Sequence, residues 1–295
     1  MFEELAHVPT TVEIASEYRF SSVTTSNPLI IGISQSGETS DTLAALRTAK
    51  TRGLSTLGIV NIVGSTITRE TDHVFYTRAG LEVGVAATKT YITQLVALLA
   101  LAIKVGVARK TLGIDDARYL GQNLRKLPKH VRTVLDNSEQ IIELAQEISD
   151  SRSMFFLGRN MNFPVALEGA LKMKEISYIH AEGYPGGELK HGPLALVTEE
   201  TPVIAIAVKD QTYEKMLGNI GEVSARGAAV IGIGTEGDTE LAKYADHVIY
   251  IPEVPELFTP ILVSVVMQLL SYHVANIRGC EIDKPRHLAK SVTVE

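Results

Sequence analysis

At 295 residues, 45% of them hydrophobic, the chain can bury more than one core, and its length predicts two compact units of ordinary size. A formal charge of −6 excludes the broad basic surface of a nucleic-acid or anionic-membrane binder. The single cysteine, Cys280, excludes an intrachain disulfide and leaves a His/Cys zinc cluster without its thiolates, so a reducing cytoplasm with no metal or other cofactor is the expected setting.

The start, MFEELAHV, is acidic where a secretion signal needs a basic flank. An apolar run at 29–33 predicts a strand, followed by a helix that begins near Thr39 to Asp41. Further strands are expected at 57–62 and 74–76, and then a long apolar helix. Its most apolar stretch, 95–103, is closed by Lys104 and is short of the ~20 residues a bilayer requires, so a soluble chain without a membrane partner is expected. Residues 108–150 are charged and helical in pattern. Beyond them come a strand at 154–157 ending at Gly158, a helix over about 164–179, strands at 203–207, 230–233 and 248–251, and a second long apolar helix ending near Gly279.

Two parts of this series superimpose without a gap when shifted by 174 positions: Pro28 meets Pro202, Arg52-Gly53 meets Arg226-Gly227, Gly58-Ile59 meets Gly232-Ile233, Asp72-His73-Val74 meets Asp246-His247-Val248, and Gln94 meets Gln268. Strands alternating with helices in each copy predict parallel sheets flanked by helices, an α/β fold built on an internal repeat. The strand at 154–157 has its counterpart before Met1, so the chain reads as a fragment of something longer. The predicted organisation is a first unit at 1–107 lacking its first strand, a helical connection at 108–150, a second unit at 151–280 and a tail at 281–295.

The junction after the first strand, ISQSGETSDT, gathers Ser34, Gln35, Ser36 and Thr39 around Gly37. At the carboxyl edge of a parallel sheet and the start of a helix, hydroxyl and backbone donors with a close-approach glycine suit a phosphate monoester. A helix cap explains one such residue but not the cluster, and the second copy, Val208-Lys209-Asp210-Gln211-Thr212, has neither serine nor glycine. No nucleotide-binding GxxxxGK[ST] or GxGxxG pattern is present.

A second concentration lies at 168–192. On a helix, Glu168, Lys172 and Glu175 share a face, either as a solvated ion-pair stripe or, given the apolar residues around them, as a partly buried acid-base group. His191 follows in a glycine-rich loop and reads either as a proton-transfer group or as a turn histidine bonded to backbone. At the end, DKPRHLAKSVTVE is either a frayed tail or, if Lys290 enters a pocket, a source of a Schiff-base amine.

The segments SQSGET, GVAATK at 84–89, ALEGALKMKEISYIHAEGYPGGELKHGPLAL from 166 and the ending HLAKSVTVE together resemble the sugar-isomerase half of the glutamine-fructose-6-phosphate aminotransferases, over essentially the whole chain. SQSGET alone marks the broader sugar-isomerase (SIS) superfamily. The resemblance implies two flavodoxin-like SIS subdomains. It implies a phosphate site at Ser34, Gln35, Ser36 and Thr39, an imine on Lys290, and proton transfer between C1 and C2 by Glu175. It also implies ring opening aided by His191, with Lys172, Glu168, Ala87 and Ala289 at the same site. The partners implied are fructose 6-phosphate, glucosamine 6-phosphate, a second copy in a homodimer, and a glutaminase domain that this chain lacks. Two departures stand out: the family's Cys-Gly-Thr-Ser strand would precede Met1, and Ala87 occupies a position where serine is common. A fructosamine-phosphate deglycase and a non-catalytic sugar-phosphate-binding protein are the alternatives.

Overall fold

The structure is a computed structural model that describes residues 1–20 and 27–290. The last five residues of the tail motif, 291–295, lie outside the described residues. The chain divides into two compact units, one of Met1–Gln122 with His287–Glu295 and one of Asn123–Arg286.

The first unit holds α1 (Phe2–Ala6), α2 (Ala15–Tyr18), β1 (Leu29–Ser34), α3 (Ser40–Thr51), β2 (Ser55–Val60), α4 (Thr66–Glu70), β3 (His73–Tyr76) and α5 (Lys89–Arg109). Its three strands are parallel in the order β1-β2-β3, with Gly32 opposite Gly58 and Ser34 opposite Val60. Leu43 and Leu46 of α3 pack with Val60 and Ile67 against this sheet. Among the described residues β1 is paired on one edge only, and its Leu29 and Ile33 are exposed. The long helix α6 (Ile114–Asp136) crosses the division of the chain.

The second unit continues with α7 (Glu139–Ile148), β4 (Ser153–Gly158), α8 (Asn162–Ser177), β5 (His180–Pro185), β6 (Val203–Ile206), α9 (Tyr213–Ser224), β7 (Val230–Thr235), β8 (His247–Ile251) and α10 (Thr259–Ile277). Its strands are all parallel, in the order β5-β4-β6-β7-β8. Every residue of β6, the counterpart of β1, is buried between β4 and β7. The extra leading strand read from the repeat is β4. The edge strand β5 was not expected: HAEGYP has neither an apolar run nor clean alternation, because an edge strand buries little and tolerates a terminal proline.

The repeat has identifiable physical causes. Asp72 accepts hydrogen bonds from the Thr56 amide and hydroxyl, both at 2.8 Å, which hold its carboxyl down at about 2. Its counterpart Asp246 accepts from the Val230 amide at 2.7 Å. Each aspartate thus ties the entry of one strand to the start of its neighbour. A Cβ on Gly58 would lie 2.6 Å from Ile67, and one on Gly232 would lie 3.0 Å from Leu241, 174 positions further on. Both glycines admit the apolar side chain of the short helical turn that follows.

The expectation about apolar length needs correction. Lys89–Arg109 and Glu256–Ile277 are both long and apolar enough to cross a membrane, because the lone Lys104 does not interrupt a 21-residue helix. The second of these is mostly buried, as a core helix of an α/β layer is.

The position of α8 depends on a close approach. A Cβ on Gly183 of β5 would fall 2.8 Å from the Leu167 Cα and 2.9 Å from its backbone nitrogen, atoms that cannot turn aside. Gly183→Val is therefore expected to destabilise the second unit by about 1–3 kcal/mol through overpacking. Urea unfolding reads this as a lower midpoint, and an unchanged midpoint would mean that α8 is not seated on β5.

Candidate functional site

Ser34 ends β1 and Thr39 precedes α3, so the hydroxyl loop lies at the carboxyl edge of the first sheet, before the free amides of a 12-residue helix. Ser34 is buried. Its hydroxyl accepts the Gly37 amide at 3.0 Å and shares a 2.8 Å hydrogen bond with Thr39 Oγ1, while Ser36 Oγ accepts the Glu38 amide at 3.1 Å. Thr39 makes no side-chain cap bond to α3. Gly37 has φ +68°, and a Cβ there would stand 2.1 Å from Ser65 Oγ, so side chains are excluded both by conformation and by space. The acid of SQSGET is turned aside: Glu38 accepts the Thr66 amide and hydroxyl, each at 2.7 Å, and these bonds hold its carboxyl below the usual range. Gln35 is half-buried, and its carbonyl accepts the Asn61 amide.

The same unit places the tail lysine. Lys290 Nζ lies 2.6 Å from Glu82 Oε2. Glu82 Oε1 accepts the amides of Thr88 at 3.0 Å and Thr90 at 3.2 Å, and Oε2 accepts the Thr90 hydroxyl at 2.5 Å. Burial works to raise the Glu82 carboxyl, but the bonds from Lys290, Thr90 and the two amides outweigh it and hold it below its ordinary value. Of the other residues expected here, Ala87 is half-buried and Ala289 exposed. Sequence reading overlooked Glu82; the signal was an acid six residues before Thr88, at the start of an apolar helix.

In the second unit Glu168, Lys172 and Glu175 share a face of α8, as their spacing required. Lys172 is 3% exposed, with Nζ 2.5 Å from Glu175 Oε2 and 3.6 Å from Glu168 Oε1. The solvated-stripe alternative is excluded. Glu168 Oε1 is buried without a hydrogen-bond partner. Burial pushes its carboxyl up to about 7, with Lys172 opposing the shift and Glu175 adding to it. His191 closes the 3-10 turn Gly186–His191 and is exposed. Among the described residues no group of three or more His, Cys, Asp or Glu side chains is placed to hold a metal ion.

The counterpart of the hydroxyl loop has a different occupant. Asp210, in register with Ser36, accepts the Thr212 amide and hydroxyl at 2.7 Å and the Asn162 amide group at 3.0 Å. A carboxylate of the chain thus accepts the loop amide that the Ser36 hydroxyl accepts in the first unit.

Parallel sheets repeated within one chain, with hydroxyls at the mouth of one and acid-base groups beside the other, define a sugar-isomerase class of protein. The SIS domain profile matches residues 1–104 and 147–278. The chain is 54% identical to the glutamine-fructose-6-phosphate aminotransferase [isomerizing] of Methanosarcina acetivorans and 50% identical to that of Thermus thermophilus. Both alignments take in 100% of this chain but only 48% and 49% of those proteins, so the chain spans about half the length of the curated relatives it matches. The C-terminal domain of glucosamine-fructose-6-phosphate aminotransferase from Francisella tularensis superposes with a TM-score of 0.93 at 40% identity, over 96% of this chain and 80% of that one. A glucosamine-6-phosphate deaminase from Thermotoga maritima superposes with a TM-score of 0.80 at 28% identity, over 99% and 84%. The chain belongs to the SIS-domain family and, within it, to the C-terminal domains of the glutamine-fructose-6-phosphate aminotransferases.

The Glu168 shift makes stability depend on pH. Below pH 4.5 the carboxyl is protonated in both folded and unfolded chains. Between 4.5 and about 7 the unfolded chain gives up its proton first, so the folded state loses stability as pH rises, by roughly 3 kcal/mol in all. Glu168→Gln, uncharged at every pH, is expected to lose this downward slope. Urea midpoints from pH 5 to 8 check it, and a variant falling in parallel with the parent would refute the assignment.

Proposed function

We propose that the chain is the isomerase part of a glutamine-fructose-6-phosphate aminotransferase, turning fructose 6-phosphate and ammonia into glucosamine 6-phosphate and water. The observation that carries this reading is the engagement of Lys290 with a buried carboxylate, because a tail lysine held in place has a use that a frayed one lacks. Ser34, Gln35, Ser36 and Thr39, with the amides before α3, bind the phosphate, and backbone at Ala87 and Ala289 borders the sugar. The Lys290 amine adds to the C2 carbonyl of the open ketose, and water leaves to form an imine. Ammonia replaces the lysine. Glu175 then takes a proton from C1 and returns it at C2, and the proton of the C1 hydroxyl passes to the nitrogen, leaving an aldehyde at C1 and an amine at C2.

Lys172 serves this chemistry by holding Glu175 with an ammonium donor at 2.5 Å, and Glu168 lines the same face as a carboxyl near neutrality. The exposed His191, at the end of its 3-10 turn, aids ring opening in the neighbouring copy of a homodimer. In the longer relatives the additional half supplies the glutaminase that generates ammonia. A cytoplasmic setting agrees with the lone free Cys280.

The test is direct. The chain is incubated with fructose 6-phosphate and ammonium, reduced with borohydride and mapped by mass spectrometry. A ketose adduct on Lys290 is expected, and its absence sinks the imine role. Glu175→Gln is expected to abolish solvent exchange at C1 while leaving sugar binding within about threefold; retained exchange removes Glu175 as the base. Binding without exchange in the parent itself would favour a non-catalytic sugar-phosphate binder, and release of an amine from a glycated substrate would favour a deglycase. Gly37→Ala is expected to weaken fructose 6-phosphate binding at least tenfold, by driving a Cβ into Ser65 and closing the loop. Calorimetric titration measures this, and unchanged affinity would place the phosphate elsewhere.

A further inference from the structure

We infer that Glu82 is the positioning residue of Lys290, docking its ammonium at the start of α5 and receiving its proton as the amine adds to the sugar carbonyl. The inference rests on the imine reading above and adds to it a residue that reading leaves out.

Three features support it. Glu82 is 8% exposed, and an acid is seldom so deeply buried without a specific partner. Its carboxylate has holds other than Lys290: the amides of Thr88 and Thr90 and the Thr90 hydroxyl orient both oxygens. The remaining approach on Oε2 is taken by Lys290 at 2.6 Å, from 208 positions away in the chain. Lys290 is the cation on this carboxylate; the nearby Lys89 turns to the Leu81 carbonyl instead. Helix termination needs none of this, since an acid capping α5 would be satisfied by the two threonines.

The chemistry requires such a group. An ammonium has no lone pair, so the nucleophile exists only once a base has taken a proton, and near neutrality an ordinary lysine is overwhelmingly charged. Because the ion pair favours both charged forms, Glu82 accepts that proton as the N–C2 bond forms and so becomes the acid. The amine lone pair forms the N–C2 bond while the C2=O π pair moves to oxygen. Of the three ammonium protons, two depart with that oxygen as water and one stays on the protonated imine, and Glu82 is again a carboxylate. No outside oxidant or reductant is needed.

The experiment measures the rate of borohydride-trapped adduct on Lys290 from pH 6 to 9 in the parent, Glu82→Gln and Glu82→Asp chains. Glu82→Gln keeps an oxygen for the two amides but offers the ammonium an NH2 group and no charge. Its trapping rate at pH 7 is expected to fall at least tenfold and then to climb about tenfold per pH unit, because bulk base must now free the amine. The parent profile is expected to stay shallow. Glu82→Asp, which retains the charge, should recover a shallow profile at a reduced rate. A purely structural role would lower the thermal midpoint without changing the profile, so melting curves are recorded on the same samples. Should Glu82→Gln match the parent in rate and profile, the inference is overturned while the imine stands; should the parent itself trap nothing on Lys290, it is the imine reading that fails.

Discussion

The buried ammonium of Lys172 is the constraint on which the second unit is organised. A charge at 3% exposure survives only if carboxylates meet it, and helical spacing supplies them at positions three residues ahead and four behind. Two acids bracketing one cation leave a net negative charge in a dry place. The protein resolves this unequally: Glu175 takes the close contact, while Glu168, farther from Lys172 and with an unpartnered oxygen, takes up a proton near neutrality. Two carboxyl groups on adjacent turns thereby stand in different surroundings, one in close contact with the ammonium and the other shifted upward by burial.

This arrangement requires α8 to lie close to the sheet, and the closeness comes from Gly183. With no side chain on β5 at that point, the α8 backbone rests on the strand at Ala166 and Leu167, on the helix that carries the buried lysine. Packing and electrostatics are thus one problem here. A larger residue at 183 would lift the helix, admit solvent to Lys172, and relax the burial that shifts Glu168.

The architecture was legible in the sequence to the extent that it repeats. Asp72 and Asp246, Gly58 and Gly232 stand in register because each pair performs the same local task, and those tasks demand particular residue types. The hydroxyl loop was legible for a related reason, since several small donors around a glycine exceed what a helix start needs. The bracketed lysine on α8 could be read only as far as its spacing; whether that face was wet or dry depended on what packed against it. The edge strand β5 and the pairing of Glu82 with Lys290 were beyond such reading. One buries too little to leave a pattern, and the members of the other lie 208 positions apart. A pair at that separation leaves no periodicity, and only the folded unit brings its members together.

The two copies of the repeat also differ in a way that bears on their division of labour. In the first, the second residue past β1 is Ser36, whose hydroxyl adds no charge before α3. In the second, the same position is Asp210, whose carboxylate accepts from Thr212 and Asn162 and places a negative charge just before α9. A carboxylate already bonded to this loop repels an anion and stabilises the start of α9. The hydroxyl loop and the chain-end lysine thus fall in the first unit, and the buried group of Glu168, Lys172 and Glu175 on α8 falls in the second.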